Sequence, residues 1–402
     1  MIPANIRDEF PILNRKISND YITYLDSAAI SLKPLTVIEA EVRYGTELTA
    51  NVHRGHNVLS EELSYQYEIV RQKTAEFINS TSDCVIFTPN TTYALNMVAY
   101  GLNLKKNDKI LCSRMNHNSN LLPWMNASEV VYFEVENLDP LPLDLVTEAI
   151  KTYRPKVLAI SYVSNVNGVI HPVTEICKIA HEYGVITVID AAQAIAHLPI
   201  NVEKLGCDFL AFSGHKMLGP TGTGILYGRY ELLDKLRPMI LGGGMINTVT
   251  SDGYTLKPLP YRLEPGTPNI SGILGLGAAI DYIKNIDYLS IKEHENKLME
   301  AMNQSLTNLP RVKVLGGKVS DKHIAIASII PLEGNIHSDQ LCQILSDSFN
   351  IMTRSGFHCA NTLFNYYEYR KGAIRISPYI YNTTDDIQKV STALEKIITR
   401  LV

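Results

Sequence analysis

No CxxC pair, no run of five basic residues, no apolar stretch of membrane-spanning length and no proline-rich or glycine/serine-rich tract occurs in these 402 residues. Each absence excludes a class. Six cysteines scattered without such pairs fit neither a disulfide framework nor a zinc site, and suit a reducing cytoplasm. A formal charge of -4 without a basic cluster lacks the electrostatic footprint of a nucleic-acid binder. The start, Met1 to Phe10, has no basic segment followed by an apolar one, so neither a secretory leader nor a membrane anchor is expected.

What is present is an ordinary globular composition, 46% hydrophobic and 19% charged, long enough for two or three packed units. Short β-rich apolar runs occupy Cys84 to Thr88, Lys109 to Cys112, Val130 to Phe133, Val157 to Val163, Val185 to Asp190 and Asp208 to Phe212. Between them Thr91 to Leu102, Pro142 to Tyr153 and Val173 to Tyr183 carry helical spacing. Strands apolar on both faces that alternate with helices predict an α/β unit, a mostly parallel sheet covered by helices, over residues 20–284. Helical spacing at Ile291 to Leu309 and Asp385 to Val402, a strand at Ile324 to Ile330 and a helix at Ser338 to Phe349 predict a smaller α+β unit over 285–402. It follows a connecting helix, Ile270 to Ile286, and residues 1–19 are expected to pack with it. The strings Gly219-Pro220-Thr221-Gly222-Thr223-Gly224 and Gly242-Gly243-Gly244 lack nucleotide-loop spacing and read as turns.

Cys359 lies in a polar, non-periodic stretch, Arg354-Ser355-Gly356-Phe357-His358-Cys359-Ala360, whereas the other five cysteines sit in or beside apolar runs. A thiolate needs access and nearby positive charge, which Arg354 and His358 would supply if the loop folds back. Upstream, one strand finishes at Asp190-Ala191-Ala192-Gln193, and the next runs into Ser213-Gly214-His215-Lys216. If they are neighbours, Asp190 and Lys216 share a crevice at the carboxyl ends of the strands. That pairing suits pyridoxal 5'-phosphate: an amine to hold the cofactor covalently and a carboxylate to keep its pyridine nitrogen protonated. Thr88-Pro89-Asn90-Thr91-Thr92, between a strand and a helix, offers backbone N–H groups, hydroxyls and a helix dipole to a phosphate.

Over nearly its whole length the chain resembles the group II cysteine desulfurases and selenocysteine lyases, class V aminotransferase-like enzymes of the fold type I pyridoxal phosphate class. The resemblance is carried by Tyr24 to Ala29, Asn51-Val52-His53-Arg54-Gly55, Ser213 to Lys216 followed by Gly219-Pro220-Thr221-Gly222, Glu264-Pro265-Gly266-Thr267-Pro268-Asn269, Arg354 to Ala360, Arg375 and Tyr381-Asn382-Thr383. It implies a mostly parallel seven-stranded sheet flanked by helices, with a smaller α+β C-terminal domain. It further implies that Lys216 holds the cofactor, Asp190 pairs with the pyridine nitrogen, Gln193 contacts the ring hydroxyl and His117 stacks on the ring as an acid or base. Thr91, Thr92, Ser213 and His215 would hold the phosphate, with Thr267 reaching it from the other subunit of a homodimer. Arg375 would grip the substrate carboxylate, Asn165 would lie near the substrate, and Cys359 takes the sulfur-accepting position. Phe357, Asn116, Asn118 and Tyr93 depart from the family's usual histidine, glutamate, histidine and glutamate.

The resemblance implies conversion of L-cysteine to L-alanine with sulfur carried on Cys359 as a persulfide. The sulfur would serve iron-sulfur cluster assembly or other sulfur-compound synthesis, through an acceptor protein that the residues do not name. Two other readings stand beside it: a selenocysteine lyase or cysteine/cystine β-lyase that does not need Cys359, and a non-catalytic sulfur-relay scaffold. No metal, nucleic acid or membrane partner is expected.

Overall fold

A computed structural model describes residues 2, 3, 5–53, 55–133, 138–332 and 337–401. Arg54 of the Asn51 to Gly55 motif and Val402 at the end of the last expected helix lie outside the described residues.

The apolar runs form a seven-stranded sheet: β1 (Val85–Thr88), β2 (Lys109–Cys112), β3 (Glu129–Tyr132), β4 (Val157–Ser161), β5 (Ile186–Asp190), β6 (Phe209–Ser213) and β7 (Gly224–Gly228). Their order is β1-β7-β6-β5-β4-β2-β3, with β7 antiparallel to both its neighbours and every other pair parallel. Every residue of β4 and β6 is buried, as expected of strands covered on both faces. β3 ends the sheet, and its exposed or half-buried residues show that edge.

Helices α1 (Leu35–Thr46), α2 (Val58–Phe77), α3 (Thr91–Gly101), α4 (Leu143–Tyr153), α5 (Val173–Glu182) and α6 (Ile270–Ile286) accompany this sheet. Asn90 caps α3, its Oδ1 accepting from the Tyr93 N–H at 2.9 Å, so the helix begins directly after β1. Gly224 lets β7 pass this cap closely, since a Cβ there would lie 2.6 Å from the Asn90 Cα. The Gly219 to Gly224 string is thus a turn, as read, whose last residue, Gly224, opens the strand.

A four-stranded antiparallel sheet follows, β8 (Val312–Val314), β9 (Ala327–Pro331), β10 (Arg354–Gly356) and β11 (Ala373–Ile376), ordered β8-β9-β11-β10. Helices α7 (Tyr288–Leu306), α8 (Ser338–Phe349) and α9 (Thr384–Leu401) flank it. Leu298, Met302, Ile329, Leu345, Ile374 and Leu394 share a separate apolar core there. β9 starts at Ala327 rather than Ile324, because the Ile324 N–H is bonded to the Gly168 carbonyl at 2.9 Å.

The chain's beginning touches both units. Arg7 bonds Asp386 at 2.8 Å and the Tyr381 carbonyl at 2.9 Å, while Glu9 accepts from Tyr282 of α6 at 2.6 Å. Thr23–Tyr24 pairs in parallel with Ile351–Met352, so the chain joins the smaller unit before it enters the seven-stranded sheet.

Candidate active site

Asp190 is the last residue of β5 and Ser213 the last of β6, and the two strands are parallel neighbours with Asp190 opposite Ala211. Beyond Ser213 a single helical turn, Gly214–Lys216, brings the lysine back over the strand ends. One cavity of about 320 Å³ lies there, lined by Thr91, Thr92, His117, Asn165, Asp190, Gln193, Ser213, His215, Lys216, Cys359 and Arg375. Eleven of the twelve residues singled out from the sequence therefore share one site.

At one wall the start of α3 meets β6. The Thr91 N–H donates to Ser213 Oγ at 2.8 Å, the Thr91 and Ser213 hydroxyls are 2.7 Å apart, and the Thr92 and Ser119 hydroxyls likewise. Hydroxyls gathered at the N-terminus of an eleven-residue helix form an anion-binding wall. Gln193 belongs to another wall, donating from Nε2 to the Ala28 carbonyl at 2.8 Å.

The electrostatics follow from burial. Burial pushes the Lys216 amine down to about 8 against the pull of the Asp190 carboxylate, with Arg375 and Arg354 lowering it further. Burial raises Asp190, opposed by the Ala192 N–H that bonds its Oδ1 at 3.0 Å and by Lys216. His117 is pushed down to about 3 by burial and by the charges of Lys216, Arg375 and Arg354. Its Nδ1 accepts from the Ser119 N–H at 3.0 Å, so the neutral ring carries its proton on Nε2. His215 falls to about 4, burial again leading.

Cys359 is exposed at the cavity's edge. Its backbone and that of His358 both adopt the left-handed conformation, with φ of 54° and 48°. The segment is held from two sides: Asn165 Nδ2 donates to the His358 carbonyl at 2.7 Å, and the Asn118 N–H donates to the Cys359 carbonyl at 2.6 Å. Asn118 Nδ2 also reaches Asn361 Oδ1 at 2.9 Å, so this departure from the family pattern serves the cysteine loop. His358 was expected to lend the thiol positive charge and does not. Its ring is buried and pushed down to about 3, leaving Arg354 and Arg375 as the cations of this wall.

Thr267 stands apart. It lines a second cavity, also about 320 Å³, with His53, Tyr93, Lys257, Tyr261 and Glu264. Tyr93, another departure, is thereby a residue of this second cavity rather than of the first. Sequence reasoning gave no role to Asp26, whose Oδ1 lies 3.2 Å from Arg375 Nη2. Its only signal was its place in the Tyr24 to Ala29 motif.

The donor set fits pyridoxal 5'-phosphate by its chemistry. An amine of lowered basicity, a buried carboxylate, a flat neutral imidazole and a hydroxyl-rich helix start line one cavity. In addition Arg375, 3% exposed, lines the same cavity, and its buried Nε has no hydrogen-bond partner among the described residues.

Residues 23–390 match the family described as Aminotransferase class-V. A probable cysteine desulfurase of Halalkalibacterium halodurans is 39% identical over 400 residues, 97% of each chain. Among solved structures, the apo cysteine desulfurase of Thermococcus onnurineus NA1 superposes with a TM-score of 0.93 at 38% identity, covering 100% of this chain and 99% of its own. The Escherichia coli cysteine desulfurase CsdA, in an S-sulfonic acid form, gives 0.88 at 32% identity, covering 100% and 99%. Since agreement in sequence and in structure runs nearly from end to end, the chain belongs to the class-V aminotransferase family, among relatives named cysteine desulfurases.

Proposed function

We propose that this protein is a pyridoxal 5'-phosphate-dependent cysteine desulfurase that converts L-cysteine to L-alanine and leaves the sulfur on Cys359. The observation that carries the reading is the meeting of Lys216, Asp190, Arg375 and an exposed cysteine at one cavity. A scaffold that only relays sulfur has no use for the first three.

When bound, the cofactor supplies an electron sink for the substrate's α-carbon. Lys216 would hold it, Asp190 would keep its pyridine nitrogen protonated, and Gln193 would face its ring hydroxyl. Thr91, Thr92, Ser213 and His215 would hold its phosphate, with His117 against the ring. Arg375, on the wall of the cavity, would grip the substrate carboxylate with its guanidinium and so orient the α-carbon. Lys216 Nζ, whose basicity burial has lowered, moves the α-proton near neutral pH. His117 Nε2 carries an exchangeable proton at the same cavity. The Cys359 thiolate forms an S–S bond to the substrate sulfur as the Cβ–S bond breaks. The electron pair of the broken bond stays with the substrate carbon, which takes up a proton and leaves as alanine. The enzyme retains a persulfide, and an acceptor protein would then consume it in iron-sulfur cluster or other sulfur-compound synthesis.

The reading includes a homodimer in which Thr267 of one protomer reaches the cofactor phosphate of the other, which agrees with the separation of Thr267 from the first cavity. All six cysteines are unpaired, as suits the cytoplasm. No helix among the described residues is long and apolar enough to cross a membrane.

The test is a visible spectrum of the purified protein, followed by addition of L-cysteine and assay of alanine and enzyme-bound sulfur for wild type and Cys359→Ala. A yellow protein whose alanine and persulfide both need Cys359 is the expected result. Undiminished turnover of cysteine in Cys359→Ala would sink the thiol's role, and a colourless protein would sink the cofactor reading.

A further inference from the structure

Arg354 of β10 and Arg375 of β11 are direct cross-strand partners. Two like charges in that position repel, the more so because Arg375 is almost wholly buried. One carboxylate lies close to both. Asp26 Oδ1 accepts from Arg375 Nη2 at 3.2 Å, and its Oδ2 lies 3.7 Å from Arg354 Nη1. Its backbone is fixed too, by a bridge to Ser377 and by N–H bonds from Ala29 and Ile30 to its carbonyl.

The two arginines lead from Asp26 to the cysteine loop by different routes. Arg354 opens the strand that runs into the loop, four residues before His358. Arg375 reaches the loop through Asn165: its Nη1 donates to the Asn165 carbonyl at 3.0 Å, and the Asn165 amide donates to the His358 carbonyl at 2.7 Å. Asp26, Arg375, Asn165, His358 and Arg354 therefore form a closed circuit, with Cys359 at its rim. Every polar nitrogen of Arg375 except Nε is engaged in it.

We propose that Asp26 is a positioning residue that couples the substrate-carboxylate arginine to the cysteine loop. By holding Arg375 Nη2 it fixes the guanidinium at the cavity wall, and by holding Arg354 it fixes the strand that delivers Cys359. A carboxylate arriving at Arg375 shares the guanidinium with Asp26, so its arrival is felt at the loop through Asn165 and Arg354. This rests on the roles proposed above for Arg375 and Cys359.

The experiment compares wild type, Asp26→Asn and Asp26→Glu as holoenzymes. It measures KM and kcat for L-cysteine, the visible cofactor band, and the rate of Cys359 alkylation by iodoacetamide with and without saturating L-alanine. In wild type L-alanine slows alkylation. In Asp26→Asn the band is retained and KM rises about tenfold with kcat changed less, the loss of one charge-assisted bond. Alkylation in that variant no longer responds to L-alanine. Asp26→Glu keeps the charge and recovers part of both effects, which separates positioning from a fault in folding. Asp26→Asn with wild-type KM, or with alkylation still slowed by L-alanine, would overturn the coupling. A wild-type protein without turnover of cysteine would instead sink the reading of the site, a distinct result.

Discussion

The Asn116 side-chain amide donates to the carbonyl of Ala159, the third residue of β4, at 2.9 Å. The same amide donates to the Asn120 carbonyl at 3.1 Å, and its Oδ1 accepts from the Ser161 N–H at 3.2 Å. With both ends used, the buried Asn116 ties the loop bearing His117 to the tip of β4. A carboxylate cannot donate, so Asn116→Asp would face two carbonyl oxygens with a buried charge. A loss of about 3 kcal/mol in unfolding free energy is expected, read by urea titration of the apoprotein. Asn116→Asp with wild-type stability would show that the bonds to Ala159 and Asn120 contribute nothing.

Lys216 should announce its lowered basicity in cofactor uptake. Only the neutral amine attacks an aldehyde, and burial holds this amine to about 8. Uptake of pyridoxal 5'-phosphate by the apoprotein, followed by absorbance, should rise with pH through a midpoint near 8 and then level. Lys216→Ala should show no covalent uptake. A midpoint above 10 would mean that the lysine is solvated in solution.

His171 predicts an acid limb of stability. Burial pushes it down to about 4, and its Nδ1 accepts from the Leu141 N–H at 3.2 Å. Below pH 6.5 the unfolded chain protonates this residue while the fold does not, so the unfolded state binds more protons and stability falls as pH falls. Between pH 6.5 and 5 the loss is about 2 kcal/mol for this residue alone. His171→Gln keeps an acceptor for Leu141 and should flatten that part of the pH profile in urea titrations. An unchanged slope would remove His171 from the account.

Arg71 of α2 is fully buried and grips Glu264 with two bonds, Nη1 to Oε1 at 2.6 Å and Nη2 to Oε2 at 2.9 Å. Glu264 also accepts from the Phe87 N–H of β1 at 2.6 Å, so the pair joins a helix, a strand and the segment leading to Thr267. Arg71→Met strands the carboxylate and should cost about 3 to 5 kcal/mol in apoprotein unfolding. Arg71→Met with Glu264→Gln should cost clearly less, because the carboxylate then left without Arg71 is only that of Glu68, which Arg71 Nε bonds at 2.9 Å and which solvent reaches. Equal losses in the single and double variants would contradict this.

The seven-stranded sheet was readable because its strands are apolar on both faces and short, a pattern that leaves little choice of period. Asp190 and Lys216 were readable because parallel strands end on one edge, so residues at or just beyond the strand ends fall in the crevice. Helix α2 was not read. Its buried stripe of Ser60, Leu63, Tyr67, Val70, Arg71, Thr74 and Ala75 has helical spacing, but polar residues interrupt it, and the buried Arg71 is matched by Glu264, 193 residues away. Asp26 was missed for a related reason: it stands 349 residues from Arg375, and a carboxylate's partner at that distance leaves no local mark. Thr267 was placed with the phosphate residues by likeness alone, and within one chain it lines a different cavity.

Neither His358 nor Cys359 is a glycine, yet both hold the left-handed backbone that non-glycine residues avoid, at a cost of order 1 to 3 kcal/mol each. The bonds from Asn165 and Asn118 to their carbonyls keep them there. The docked loop is therefore a cocked catch. If those two bonds let go, relaxation of the backbone offsets part of their loss, so the loop is held by its neighbours rather than by its own conformation.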